Sequence, residues 1–385
     1  MNFITKLVQS GVKRDPSTGA ISTPIYQCTT FEHPELGKST GYDYARTANP
    51  TRRALEEAIA ILEEGDAGFA FSSGMSAIST ILFLFKAGDH IVISDDLYGG
   101  TYRVLEEIFK NFGISATYAD TSCTESIIEA IKPNTAALFI ETPSNPLMKV
   151  TDLQAVCQIA KERHLLTIVD NTFLSPYLQK PIQFGADIVI HSASKYIGGH
   201  NDVIAGLVVT ATPELSEKML KLQNGAGAIL GPQDSWLLLR GIKTLAIRME
   251  QQQKNAYQIA SWLEEQDLIT KVYYPGLQSH PQKAINEKQS NGHGAMLSFE
   301  VEDISVVAAI LKNLKIISYA ESLGGVESLI TYPYTQTHAD IPKEMRDKMG
   351  VNDRLLRLSV GIEHVDDLLL DLKQALQQSR KNSLV

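Results

Sequence analysis

Lys195 stands in the run Asp-Ile-Val-Ile-His-Ser-Ala-Ser-Lys-Tyr-Ile-Gly-Gly-His, residues 187–200. The β-branched apolar residues read as a buried strand that delivers one lysine into a cluster of hydroxyls and glycines. A poorly hydrated amine gives up its proton more easily and becomes nucleophilic. Its obvious chemistry is a Schiff base with an aldehyde, above all pyridoxal phosphate; the rival reading is a lysine reaching into solvent from a strand end. Asp170 closes another apolar run, Leu-Leu-Thr-Ile-Val-Asp-Asn-Thr. A carboxylate there suits a pyridinium nitrogen, although a helix N-cap is common at such a place. Ser-Ser-Gly-Met-Ser (72–76) lies between a strand and a helix pattern. Backbone N–H groups of that turn, with Gly74 allowing close approach, offer an anion cradle or simply a capped helix. Ser192 and Ser194 flank Lys195 and add hydroxyls to the same phosphate. Tyr98, again after a strand, stacks on a flat ring and moves a proton, or packs as an edge aromatic. Arg357 lies inside an apolar strand and needs a partner: a substrate carboxylate or a structural one.

The elements that must position these residues alternate. Apolar strand candidates fall at 68–72, 90–95, 115–120, 136–141, 166–170, 188–191 and 205–210, with helical patterns at 51–64, 76–86, 102–111 and 153–163 between them. Such alternation predicts a mostly parallel sheet wrapped by helices, whose ligands collect beyond the carboxyl ends of the strands. The chemistry-bearing residues fall at those ends. We divide the chain into an irregular N-terminal arm (1–50), a cofactor-binding large domain (51–245) and a smaller C-terminal α/β domain (246–385) with a helix at 248–264, strands at 295–300 and 315–319, and a final helix at 364–380. A long irregular arm is usually functional or packs on a partner.

Composition narrows the class. The chain has 385 residues, 44% apolar and 21% charged, with a net charge of −9. That is an ordinary globular balance with no basic stripe for nucleic acid. No apolar stretch is long enough to cross a bilayer, and no secretory signal is expected at the N-terminus. Cys28, Cys123 and Cys157 are too few and too scattered for a metal site or disulfide framework, which points to a reducing cytoplasm. No metal is expected, and His191 reads as a satisfied core histidine.

The quoted residues resemble the pyridoxal-phosphate enzymes of cysteine and methionine metabolism, of the aspartate-aminotransferase-like fold type I. The likeness runs from Gly19-Ala-Ile-Ser-Thr-Pro-Ile-Tyr to Leu356-Arg-Leu-Ser-Val-Gly-Ile-Glu. Between them lie Tyr44-Ala-Arg-Thr-Ala-Asn-Pro-Thr, Ser72-Ser-Gly-Met-Ser-Ala, Tyr98-Gly-Gly-Thr, Glu141-Thr-Pro-Ser-Asn-Pro, Val169-Asp-Asn-Thr and Glu321-Ser-Leu-Gly-Gly-Val-Glu-Ser. The resemblance implies that Lys195 carries the internal aldimine, that Asp170 holds the pyridine nitrogen and that Tyr98 stacks on the ring. It implies phosphate contacts from Gly74, Met75, Ser192 and Ser194, and from Tyr44 and Arg46 of a neighbouring subunit in a homotetramer built from active dimers. Arg357, Asn145 and Ser322 would hold the substrate α-carboxylate, with Glu321, Arg103 and Tyr44 also on the substrate side. Ser194 departs from the usual threonine but keeps the hydroxyl.

Within that family, Gly99 stands where methionine γ-lyases carry cysteine, and Glu321 stands where γ-carbon enzymes carry glutamate. The reading is therefore a trans-sulfuration enzyme, cystathionine γ-lyase or γ-synthase, acting on cystathionine, cysteine or homoserine esters. The segment 321–341 is similar to bacterial γ-synthases and the loop 275–294 to the lyase branch. A cystathionine β-lyase, an O-acylhomoserine sulfhydrylase and a non-catalytic binding protein of the same fold remain alternatives. A nicotinamide oxidoreductase would need a Gly-x-Gly-x-x-Gly after the first strand, and none is there.

Overall fold

The computed structural model describes residues 1–12, 15, 17–339 and 341–382, with side chains to residue 378. A 7-stranded sheet holds β1 (Ala67–Phe71), β2 (His90–Ser94), β3 (Ser115–Ala119), β4 (Thr135–Glu141), β5 (Leu166–Asp170), β6 (Ile188–Ser192) and β7 (Gly206–Thr210) in the order β1-β7-β6-β5-β4-β2-β3. Strands β3, β2, β4, β5 and β6 run parallel, while β7 is antiparallel to both β6 and β1. Its apolar runs are continuous because both faces are covered. Ile168, Ile188 and Ile190 pack into one core and Val169 and Val189 into the other, as the two-residue period of a strand requires.

The helices around this sheet include α1 (Phe3–Val8), α2 (Pro50–Glu63), α3 (Gly74–Leu82), α4 (Gly99–Arg103), α5 (Thr124–Ala130), α6 (Leu153–Glu162), α7 (Ser175–Leu178), α8 (Pro213–Ala226) and α9 (Pro232–Ile242). Helix α2 starts where expected: Asn49 accepts the Thr51 and Arg52 N–H groups and Pro50 holds the first turn. The pattern at 102–111 is not one regular helix. After α4 the backbone widens to a π turn over Val104–Ile108, tightens to a 3₁₀ turn over Phe109–Phe112 and stops at left-handed Gly113.

The 20-residue helix α10 (Leu245–Glu264) leads to a 5-stranded sheet. That sheet holds β8 (Ile269–Tyr273), β9 (Met296–Val301), β10 (Ser318–Tyr319), β11 (Leu329–Thr331) and β12 (Leu355–Ser359) in the order β10-β11-β12-β9-β8. Helices α11 (Lys283–Gln289), α12 (Ile304–Asn313), α13 (Lys343–Met349) and α14 (Val365–Asn382) complete the order. The strand expected at 315–319 pairs over two residues only, and β11 is a strand the sequence pattern did not mark. Residues of the arm from 17 to 48 are mostly exposed, with an isolated bridge between Thr30 and Tyr44.

Candidate active site

A cavity of about 270 Å³ opens at the carboxyl ends of β4, β5 and β6. Register explains why: Glu141 at the end of β4 lies beside Asp170 at the end of β5, and Asp170 lies beside Ile190 of β6. Gly74, Met75, Tyr98, Asn145, Asp170, Ser192, Ser194 and Lys195 all line the cavity, together with Glu141, Thr172 and Phe173. Eight residues separated by up to 121 positions in the chain thus share one wall, because each ends or follows a strand of the same sheet.

Each is held locally. Lys195 follows β6, half-buried, and its Nζ donates to Ser322 Oγ at 3.0 Å. Burial pulls its amine down to about 8, Arg357 adds to the fall, and Glu321 opposes it. The Asp170 carboxylate accepts the Thr172 N–H at 3.0 Å and the Thr172 hydroxyl at 2.5 Å, both on Oδ1. Oδ2 therefore remains for a ligand. Burial raises the Asp170 carboxyl above the ordinary range and the two Thr172 bonds pull it back. The Thr172 hydroxyl also accepts the Ser192 N–H at 2.9 Å, so it ties β5 to the strand that leads to Lys195. Ser194 Oγ accepts the Ala205 N–H at 2.9 Å.

At the other wall, Ser73 caps α3 by accepting the Ser76 N–H at 3.0 Å. The first-turn N–H groups of α3 point out of the helix without intrahelical partners, at its positive end. A Cβ on Gly74 would stand 3.1 Å from Ser192 Cβ, so any side chain there would crowd this cradle. Tyr98 donates its backbone N–H to Glu141 Oε2 at 3.0 Å. Glu141 is buried, and its carboxyl is raised well above the usual range by burial and then by the neighbouring Asp170. Two carboxyls in one buried pocket disfavour a double negative charge, so each raises the cost of ionising the other.

Arg357 is 2% exposed on β12. It donates to Asn145 Oδ1 at 2.8 Å, to the Ser322 carbonyl at 3.2 Å and to Thr331 Oγ1 at 3.2 Å. No carboxylate pairs with it among the described residues. A buried guanidinium bonded only to neutral acceptors is built to receive an anion. Glu321 and Ser322 line an adjoining cleft that shares Ser194 and Ile204 with the cavity.

The structure does not bring every expected residue here. Tyr44 and Arg46 are exposed on the arm and outside the cavity of their own chain. Arg46 instead bonds Asn224, at 2.7 Å to its carbonyl and 2.9 Å to its Oδ1, and stacks over Tyr44. Arg103 sits exposed at the end of α4, not on the cavity wall. His191 is buried with Nε2 2.6 Å from Glu63 Oε1, which also accepts from Asn171 at 3.0 Å; its Nδ1 has no partner among the described residues, so the core histidine is only half satisfied. The residue-by-residue reading missed Glu141 and Thr172. Both stand in the quoted runs Glu141-Thr-Pro and Val169-Asp-Asn-Thr, and their strand-end positions were the available signal. No helix among the described residues is long and apolar enough to cross a membrane.

Comparison with known proteins agrees along nearly the whole chain. A family model described as Cys/Met metabolism PLP-dependent enzyme matches residues 4–377. The cystathionine gamma-lyase of Bacillus subtilis (strain 168) is 53% identical over 373 residues, 97% of this chain and 98% of that protein. The cystathionine beta-lyase of Lactococcus lactis subsp. cremoris (strain MG1363) is 53% identical over 374 residues, again 97% and 98%. Among solved structures, cystathionine gamma synthase from Xanthomonas oryzae pv. oryzae, in complex with aminoacrylate and cysteine, superposes with a TM-score of 0.97 at 42% identity over 99% of both chains.

Proposed function

The chain belongs to the Cys/Met metabolism PLP-dependent enzymes, and from that premise we propose a trans-sulfuration enzyme working at the γ-carbon of sulfur amino acids. Its proposed reaction is cleavage of cystathionine to cysteine, 2-oxobutanoate and ammonia. The observation that carries this reading is the Lys195 amine 3.0 Å from Ser322 Oγ, in a cavity shared with Asp170, with Glu321 as the next residue outward.

Pyridoxal 5'-phosphate is the cofactor of this family, and the residues fit it. Oδ2 of Asp170 is free to take a ring N–H. Gly74 and Met75 open α3 against Ser192, and their backbone donors would hold the phosphate there. When bound, the cofactor supplies an aldehyde for exchange with amines and a ring that takes up electron density from the substrate Cα.

The chain's own groups do the rest. Lys195, with an amine at about 8, would hold the cofactor and then remove the proton from Cα, and a second proton must leave Cβ before the γ-sulfur is expelled. Tyr98, on the cavity wall, would stack on the ring and, with Lys195, would handle the proton delivered to the leaving sulfur. Arg357, preset by Asn145, grips the α-carboxylate beside Ser322. Glu321 receives the remote ammonium of cystathionine. Ser192 and Ser194 add to the phosphate site, and Tyr44 and Arg46 of a second copy complete it in a homotetramer. The scattered thiols suit a reducing cytoplasm.

A second reading, γ-synthase chemistry on an O-acylhomoserine with cysteine as nucleophile, is favoured by the Xanthomonas oryzae structure. Product analysis separates the reactions. With cystathionine, 2-oxobutanoate is expected; pyruvate with homocysteine would make the chain a β-lyase. With acylhomoserine, faster product from cysteine than from sulfide supports the synthase over a sulfhydrylase. Lys195→Ala is expected to lose the visible band of the lysine-bound cofactor and turnover. Retained turnover in that variant would end the reading.

A further inference from the structure

Helix α10 carries three buried polar side chains on one face. Arg248, Gln252 and Asn255 follow at intervals of four and three residues and are 3%, 0% and 0% exposed. A polar stripe on a packed face is costly unless every group finds a partner. Here the donors meet backbone carbonyls of three separate loops, the Gly241 carbonyl of α9 and Thr244 Oγ1, while Gln252 Oε1 has no partner among the described residues. Arg248 donates Nη1 to the Tyr196 carbonyl at 2.7 Å and Nη2 to the Gly241 carbonyl at 2.9 Å, and its Nε goes to Thr244 Oγ1 at 3.1 Å. Gln252 donates to the Gly325 carbonyl at 2.7 Å. Asn255 donates to the carbonyls of Gly361 at 3.1 Å and Glu363 at 2.8 Å.

These loops are not arbitrary. The first begins one residue after Lys195. The second carries Ser322. The third leaves β12, which carries Arg357. They also join one another: Val326 N–H donates to the Gly199 carbonyl at 3.0 Å, Ile362 N–H to the Val326 carbonyl at 2.9 Å, and Gly324 N–H to Ser359 Oγ at 2.8 Å. Ser322 itself has φ +117°, a conformation an L-residue keeps only where its surroundings over-determine it.

We propose that Arg248, Gln252 and Asn255 are positioning residues: one helix face fixes the Lys195 loop against the Ser322 loop and the end of the Arg357 strand, and so sets the approach of the reacting amine to the substrate-carboxylate side. A stripe that merely fills space would be improved or left neutral by apolar side chains of similar volume. A positioning stripe would lose loop order and turnover on the same change, even where melting holds. The proposal rests on Lys195 as the cofactor-bearing amine.

The test uses the cofactor-loaded full-length enzyme with Gln252→Met and Arg248→Lys. Four quantities are read: melting temperature, the pH midpoint of the visible band of the lysine-bound cofactor, amide hydrogen exchange over 322–326, and KM and kcat with cystathionine. For Gln252→Met we expect near-unchanged melting, faster exchange at 322–326 and kcat/KM lower by about 10²-fold, chiefly through KM. For Arg248→Lys we expect the band midpoint to move by about half a unit or more, because the Lys195 loop is no longer clamped. If Arg248→Lys does not fold, Gln252→Met decides alone. Unmoved exchange, midpoint and kcat/KM would overturn the clamp, whatever happens to melting. A Lys195→Ala control separates the two failures. Loss of the band there with unaffected clamp variants sinks only this inference. Retention of the band sinks the functional reading with it.

Discussion

Lys195 illustrates what a side-chain identity reveals and what it hides. Its position after an apolar, β-branched run predicts a desolvated amine, and in the structure burial does lower it to about 8. The unfolded chain keeps that proton to an ordinary value of 10.5. Between about pH 8 and 10.5 the unfolded state therefore binds more protons, so this group's contribution to stability improves as pH rises through that window, and burying the cation costs most below 8. The same shift sets reactivity. Recombination of cofactor-stripped protein with pyridoxal phosphate is expected to be half-maximal in rate near pH 8; a midpoint near that of free lysine would show a hydrated amine. Asp170, Tyr98 and Arg357 were legible for the same reason, a polar residue closing or interrupting an apolar run. Glu141 was not, because its partner is a backbone N–H 43 positions away. Thr172 was not, because a hydroxyl two residues after an aspartate is ordinary turn chemistry until β6 is seen to bond it too. Arg103 was expected at the substrate, but α4 ends with it on an exposed surface.

Elements were easiest to read where period and burial agree. The strands of the large sheet lie within a residue or two of their expected bounds, since two covered faces demand uninterrupted apolar runs. The segment 99–112 shows the opposite. Its composition permits a helix, and only packing forces α, π and 3₁₀ turns in succession. Strand β11 is three residues long, too short for alternation to show. Helix–loop contacts were equally invisible, and one of them makes a prediction. Gly241 in α9 lies so close to the loop after Lys195 that an added Cβ would sit 2.5 Å from the carbonyl oxygens of both Gly198 and Ile197. Both are backbone atoms, so neither can rotate away. Gly241→Ala is expected to destabilise the protein by about 1–3 kcal/mol, read as a lower melting temperature. It should also weaken turnover, because the displaced loop starts at the reacting lysine. A substitution as stable as the parent would mean that α9 shifts freely, and the Arg248 bond to the Gly241 carbonyl would then hold nothing rigid.

At the scale of the whole molecule, the arm is the part that one chain cannot explain. Residues 17–48 form almost no regular structure and stay largely exposed, yet the arm is locally ordered by bonds a free tail would lack. Arg52, 1% exposed, donates to the carbonyls of Ala45 at 2.8 Å and Arg46 at 3.1 Å. Asn49 donates to the Tyr26 carbonyl at 2.8 Å. Tyr44 and Arg46 are thus exposed on a fixed support, with Arg46 resting on Asn224, away from the cavity of their own chain. Presentation of that kind makes sense if the pair completes a site on a second copy, and subunit mixing tests it. Take subunits with Lys195→Ala and subunits with Arg46→Ala. If the arm serves its own chain, every subunit in a mixture keeps one defect at its own site, and mixing restores nothing. If the arm crosses, each mixed pair contains one site with an intact Lys195 and an intact partner arm. Random pairing then gives mixed pairs in half of the dimers and one repaired site in each, so activity should climb toward about a quarter of the parent value. The expected recovery depends on geometry alone, not on which sulfur amino acid is cleaved, so it holds for lyase and synthase alike and isolates the one feature of the site that a single chain leaves open.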